Sequence, residues 1–170
     1  TFKRVQIDEL NDSQLLSVLG DSYREYPIRL KKLLRTPSNL YFWQRLNQPN
    51  CLFISQRDLI NQWWLELKNK ADKQQIAASD LQSIVATINE HISNGASRVL
   101  RSRFPSEKAL AFLASEGFLV SDDNQRHFHY VHQSIYDYFI SDDMYEQVSF
   151  GFSFAECLGD FNAQTPMKRY

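Results

Sequence analysis

Arg126-His127-Phe128-His129-Tyr130-Val131-His132-Gln133-Ser134-Ile135-Tyr136-Asp137-Tyr138-Phe139 decides the fold, because its period changes midway. Up to His132 it is rich in aromatic and β-branched residues, which suit a pleated strand. From Ser134 the apolar positions become Ile135, Tyr138 and Phe139, the spacing of one helix face. Ser134 is the expected N-cap of that helix. His132 therefore falls where a strand hands over to a helix. The free N–H groups of the first turn and the positive end of the helix dipole can face an anion there. A histidine at this point is either a phosphate contact or a polar plug in a small core.

Upstream of this junction, Phe118, Leu119 and Val120 form one arm of a hairpin, residues 121–125 its loop and residues 127–131 the other arm. Three helices precede it. Ser55 and Asp58 make a capping box ahead of Ile60, Trp63, Trp64 and Leu67. Residues 68–73 read as a polar connection. Ser79 and Gln82 read as a second capping box, ahead of the stripe Leu81, Ile84, Val85, Ile88 and Ile92, which Asn94-Gly95 ends. Pro105-Ser106 starts the third helix, with Ala109, Leu110 and Leu113 inside and Gly117 as its stop. The closing helix runs from 134 to about 144. Helix, helix, helix, hairpin, helix is the order of a winged helix.

A smaller unit comes before it. Residues 2–7 have the pattern of a short strand. Leu15, Leu16 and Leu19 form a helix face after a cap at Asn11, Asp12 or Ser13, and Gly20 ends it. Tyr26-Pro27 opens a helix with Leu30, Leu33 and Leu34 on one face and Arg29, Lys31, Lys32 and Arg35 on the other. Pro37 breaks that helix, Ser38 caps the next, which carries Leu40, Trp43 and Leu46, and Pro49 closes the unit. The expected fold class is mainly α: a small helical lid bundle followed by a winged helix. The expected boundaries are 1–50 for the lid segment, 51–146 for the winged helix and 147–170 for a tail or the start of a further helical segment. That tail carries Phe150, Phe152, Phe154 and Phe161.

The chain has 170 residues, 43% of them hydrophobic, and a net charge of −1, so no global field draws it to nucleic acid or to an anionic membrane. No apolar run approaches transmembrane length and no signal peptide opens the chain. Cys51 and Cys157 lack metal-type spacing; free thiols in a reducing compartment are expected over a single disulfide. The first residue is Thr, and the chain reads as a piece of a larger protein. It contains no GxxxxGK[ST] loop, no GxGxxG fingerprint and no GxSxG elbow, and nothing marks an acid–base pair among its carboxylates. No catalytic residue is expected.

His127 and His129 share one strand face, but no Cys, Asp or Glu at suitable spacing completes a ligand set, so no metal is expected. The helix that would enter a DNA groove, residues 106–116, has Lys108 as its one basic residue, opposed by Glu107 and Glu116. Arg98, Arg101 and Arg103 just before it are suited to phosphates. DNA is nevertheless not expected as a partner.

Three segments carry a family resemblance. Val131-His132-Gln133-Ser134-Ile135-Tyr136-Asp137-Tyr138-Phe139 resembles the hHQSxxDYh segment (h, apolar) that ends the winged helix of STAND-class P-loop NTPases, the NACHT and NB-ARC relatives. Leu33-Leu34-Arg35-Thr36-Pro37-Ser38-Asn39-Leu40 resembles the LLRTPLxL segment of their helical lid, with Ser38 where an apolar residue is usual. Asp58-Leu59-Ile60-Asn61-Gln62-Trp63-Trp64 is similar to the first helix of their winged helix. Together the three span roughly residues 5–145 in matching order.

The resemblance implies a cytoplasmic signalling protein whose nucleotide-binding core lies upstream of this chain. It implies that Pro37 packs against the adenine of bound ADP or ATP, and that His132 contacts the β-phosphate of ADP and holds the closed resting state. It implies no nucleotide on this segment alone, the upstream core as first partner, and a homo-oligomer on activation. Two other readings stand beside it. One is a winged-helix DNA-binding regulator. The other is a protein-interaction module that docks a partner through the Trp63/Trp64 helix and the Phe-rich tail.

Overall fold

The computed structural model describes residues 9–47, 52–151 and 153. The expected strand at 2–7, Pro49, both cysteines, and Phe152, Phe154 and Phe161 lie outside the described residues. The protein is mainly helical with one small three-stranded antiparallel sheet. It divides into two compact units, Thr1–Glu66 and Leu67–Tyr170, and the division falls inside the fourth helix. Among the described residues no helix is long and apolar enough to cross a membrane.

In the first unit, α1 (Asp12–Leu19) begins at Asn11, whose side chain accepts from the Gln14 amide while Gln14 reaches back to the Asn11 amide. This reciprocal pair satisfies two of the free N–H groups that every helix start leaves. Gly20 ends α1 at φ +70°, ψ −165°, a region essentially restricted to glycine. A 3-10 turn, Asp21–Glu25, follows and leads to α2 (Ile28–Leu34). Thr36 is extended at φ −77°, ψ 122°, as a residue before proline must be, and Pro37 is the first residue of α3 (Pro37–Arg45). The expected cap at Ser38 is thus displaced to Thr36. Leu15, Leu30, Leu34, Phe42, Ile60 and Trp63 make the core of this unit. Each such side chain, once buried, contributes on the order of 1.5–3 kcal/mol.

The helix α4 (Gln56–Lys73) starts with the Ser55/Asp58 capping box: the Asp58 amide donates to Ser55 Oγ and the Ser55 amide to Asp58 Oδ2. It does not stop at Leu67. Residues 68–73 continue as helix because Leu67 and Ala71, one turn apart, are both buried, while the polar residues between them are good helix formers facing water. The stop is Gln75, at φ +58°.

The helix α5 (Ala78–Ser93) starts one residue before Ser79, with Ala77 as an N-cap lacking a side-chain bond, so the expected Ser79 box is not used. Its stripe Leu81, Ile84, Val85, Ile88 and Ile92 is buried as read. A two-residue strand, β1 (Val99–Leu100), comes next and was not expected from the sequence. The helix α6 (Glu107–Ser115) is capped by Ser106 and stopped at Gly117, φ +73°. The strands β2 (Leu119–Ser121) and β3 (His127–Tyr130) form the hairpin, and β3 is central between β1 and β2. The register pairs Val99 with Phe128, Leu100 with His127, Leu119 with Tyr130 and Val120 with His129. Alternation then puts Val99, Leu119, Phe128 and Tyr130 on the buried face, and Leu100, Val120, His127 and His129 on the outer one. The closing helix α7 (Gln133–Ser149) is longer than read, and only its first half is buried, through Ile135, Tyr136 and Tyr138.

Candidate functional site

His132 sits between the end of β3 and the first residue of α7, at the strand–helix junction read from the sequence. Its backbone is extended, φ −146°, ψ 141°, and its side chain is itself the N-cap. The amide of Ser134 donates to His132 Nδ1 at 3.2 Å. Ser134, expected as the cap, is instead the residue being capped. An imidazole nitrogen that accepts must carry a lone pair, so the neutral ring keeps its proton on Nε2. The half-buried ring therefore presents its donor atom at the positive end of a 17-residue helix. A donor on a helix N-terminus suits an anion.

A cavity of about 150 Å³ lies beside this helix start, lined by Ile92, Ser97, His129, Tyr130 and Gln133. Nδ1 of His129 is buried and has no hydrogen-bond partner. Tyr130 donates its hydroxyl to Asn89 Oδ1 at 2.8 Å, and burial pushes its phenol well above the ordinary range. It is a structural group, not a proton donor in waiting. His127 is taken up in the hairpin turn. Its Nδ1 donates to Asp122 Oδ2 at 2.7 Å, and the amides of Arg126 and His127 donate to Asp122 Oδ1 at 2.7 and 3.3 Å. The His127 bond and then these amides hold the Asp122 carboxyl down at about 2. Among the described residues no group of three or more His, Cys, Asp or Glu is placed to hold a metal ion.

Pro37 belongs to the other unit and is half-buried at the first position of α3. Asn39, two residues on, fixes it. Asn39 is the one polar side chain in the buried core, at 6% exposure. Its Nδ2 donates to the Leu33 carbonyl at the end of α2 at 2.8 Å. Gln56 Nε2, at the start of α4, donates to Asn39 Oδ1 at 2.6 Å and to Ser38 Oγ at 3.1 Å. Three helix termini thus converge on the Thr36-Pro37-Ser38-Asn39 turn. The polar Ser38, out of pattern for the lid segment, has a partner here. On the far side of the turn, Asp12 accepts from the Tyr23 hydroxyl at 2.9 Å and from Arg35 at 3.2 Å, and these two bonds hold its carboxyl below the usual range. Neither Asn39 nor Gln56 was picked out from the sequence. The available signal was an Asn set between Pro37 and Leu40 in an otherwise apolar helix start.

Two further expectations meet the geometry. Lys108, the one basic residue of α6, donates to the Gln74 and Gln75 carbonyls at 2.8 and 3.1 Å, which caps the end of α4. Arg101 is bonded to Glu107 and Lys70 to Glu116. Trp63 and Trp64 are core residues, at 2% and 6% exposure, so the Trp63/Trp64 helix is not a docking surface. Comparison of the chain with protein-family models, with curated proteins and with solved structures found no match.

Proposed function

We propose that this chain is the lid and winged-helix portion of a STAND-type signalling NTPase, with a lid segment at 1–50 and a winged helix at 51–146. The observation that carries the reading is the N-cap position of His132. A histidine whose Nδ1 is committed to the Ser134 amide offers Nε2–H, backed by the α7 dipole, to a phosphate. The helix–helix–strand–helix–hairpin–helix order of the second unit supports it. So does the bonded turn that presents Pro37, a flat apolar ring suited to an adenine face.

In the intact protein, ADP bound to the upstream core would touch Pro37 and His132 and so favour the closed arrangement. A ligand shifts an equilibrium only by its differential affinity for the two states. Exchange for ATP would remove the His132 contact and release the winged helix for self-association. This chain performs no chemistry itself, and its role is regulatory.

The test uses two substitutions in the intact protein. His132→Ala removes both the cap and the phosphate donor, and should raise basal activity. His132→Asp keeps a good N-cap, since Asp is among the preferred cap residues, but places negative charge against the phosphate. It should melt no earlier than wild type yet retain ADP at least about tenfold less tightly. Unchanged ADP retention and an unchanged resting state in His132→Asp would sink the proposal.

A further inference from the structure

We infer that the C-terminal half of α7 and the outer face of the sheet are complementary docking surfaces, through which one copy of this chain binds a second copy. The inference names a contact surface for the self-association proposed above and rests on that reading for its biological use. The contact itself is argued from charge and exposure.

Charge is segregated along the second unit. From His127 to Met167 the sequence contains no Lys or Arg, and it contains six acidic residues. Four of these, Asp137, Asp142, Asp143 and Glu146, are on α7. The same helix stops contributing to the core after Tyr138. Its last turns carry Tyr145 at 71% exposure, Val148, and Phe150 at 84% just beyond. Two large aromatic side chains left in water beside Asp143 and Glu146 form an apolar centre with an acidic rim.

The outer sheet face has the opposite sign. Leu100 and Val120 are exposed there, beside His127 and His129. Strand alternation puts Arg98 on the same face as Leu100. The Arg101 amide donates to the Arg126 carbonyl at 2.8 Å, which brings Arg126 to this end of the sheet. Among the described residues neither Arg98 nor Arg126 is in an ion pair. The nearby acids are already used, Glu107 by Arg101 and Asp122 by the hairpin turn. This patch therefore has an aliphatic centre and an unneutralised basic rim.

Opposite rims around apolar centres select the α7 end of one copy for the sheet face of another, and like faces repel. Such a contact closes as a two-fold pair if both copies make it at once, and otherwise propagates into a ring or filament.

Sedimentation velocity of the 170-residue chain, without nucleotide and over a wide concentration range, tests this. The wild type should associate, and association should weaken from about 50 to about 500 mM salt, because the rims are screened. Asp143→Lys with Glu146→Lys should weaken it at least about tenfold, and so should Arg98→Glu with Arg126→Glu. An equimolar mixture of these two variants should associate again, since each now complements the other. Far-UV melting checks that both fold, and the salt dependence of the wild type stands if either does not. A wild type that stays monomeric overturns the inference. So does a mixture no better than its components, association that strengthens with salt, or a monomer that uses the same arginines to bind duplex DNA. Since no nucleotide is present, any of these leaves the His132 tests of the switch intact.

Discussion

Replacing Asn39 by Ala should unfold the first unit at markedly lower denaturant, and the structure sets the size. Asn39 makes two buried side-chain bonds, to the Leu33 carbonyl at 2.8 Å and from Gln56 Nε2 at 2.6 Å. Each is worth about 0.5–1.5 kcal/mol net, and a partner left buried and unsatisfied costs more. Gln56 keeps its bond to Ser38, so the heavier loss is at the Leu33 carbonyl. The sum is about 2–3 kcal/mol. With a urea slope of about 1–1.5 kcal/mol per M for so small a unit, the midpoint should fall by roughly 1.5–2.5 M. The assay is selective, because the three tryptophans, Trp43, Trp63 and Trp64, all lie in the first unit. Tryptophan fluorescence therefore reads that unit alone. Asn39→Asp should be worse than Asn39→Ala: its carboxylate can still accept from Gln56 but can only oppose the Leu33 carbonyl. A midpoint shift under about 0.3 M in Asn39→Ala, or Asn39→Asp as stable as wild type, would refute the convergence of three helix ends on this side chain.

Other outcomes follow from single contacts. Gly20→Ala should cost about 1–3 kcal/mol by tryptophan-monitored unfolding although an added Cβ meets nothing within 4 Å, because the strain is wholly in the backbone at φ +70°. Lys108→Met should cost about 0.3–1 kcal/mol, read as faster amide exchange at Ile76, since it removes the cation from the end of α4. Asp122 has a folded pKa of about 2 against 3.8 unfolded. Its contribution is thus complete above about pH 4 and is lost as pH falls through 2, so far-UV melts of wild type should lose stability over that window faster than those of Asp122→Asn. A pH 2–4 slope equal in both proteins would count against the hairpin staple.

What could be read in the sequence and what could not divide along a physical line. Signals that act within one or two turns were legible. The Ser55/Asp58 box, the Gly20, Gly95 and Gly117 stops and the buried stripe of α5 are all where local chemistry puts them. The misses come where something non-local or atypical overrides propensity. Residues 68–73 look polar, yet a buried Ala71 one turn beyond Leu67 keeps them helical. β1 is two residues long and exists only because β3 offers it an edge, so no periodicity could announce it.

The cap at α7 is the instructive case. Ser134 has the right residue type for an N-cap, but a strand that runs straight into the helix leaves His132 as the last extended residue. An imidazole nitrogen can do what a hydroxyl oxygen does there. This bears on the proposed function. A serine cap would have made His132 a spectator, whose ring could point anywhere. A histidine cap fixes the ring by its own Nδ1 and so determines which atom is left to meet a phosphate. The structural role and the proposed switching role therefore compete for nothing, because they use opposite nitrogens of one ring. Protonation would break that arrangement, since an imidazolium has no lone pair to accept the Ser134 amide. His132→Asp separates the two roles cleanly: it supplies the acceptor and removes the donor, so stability and ADP retention should move apart in that one variant.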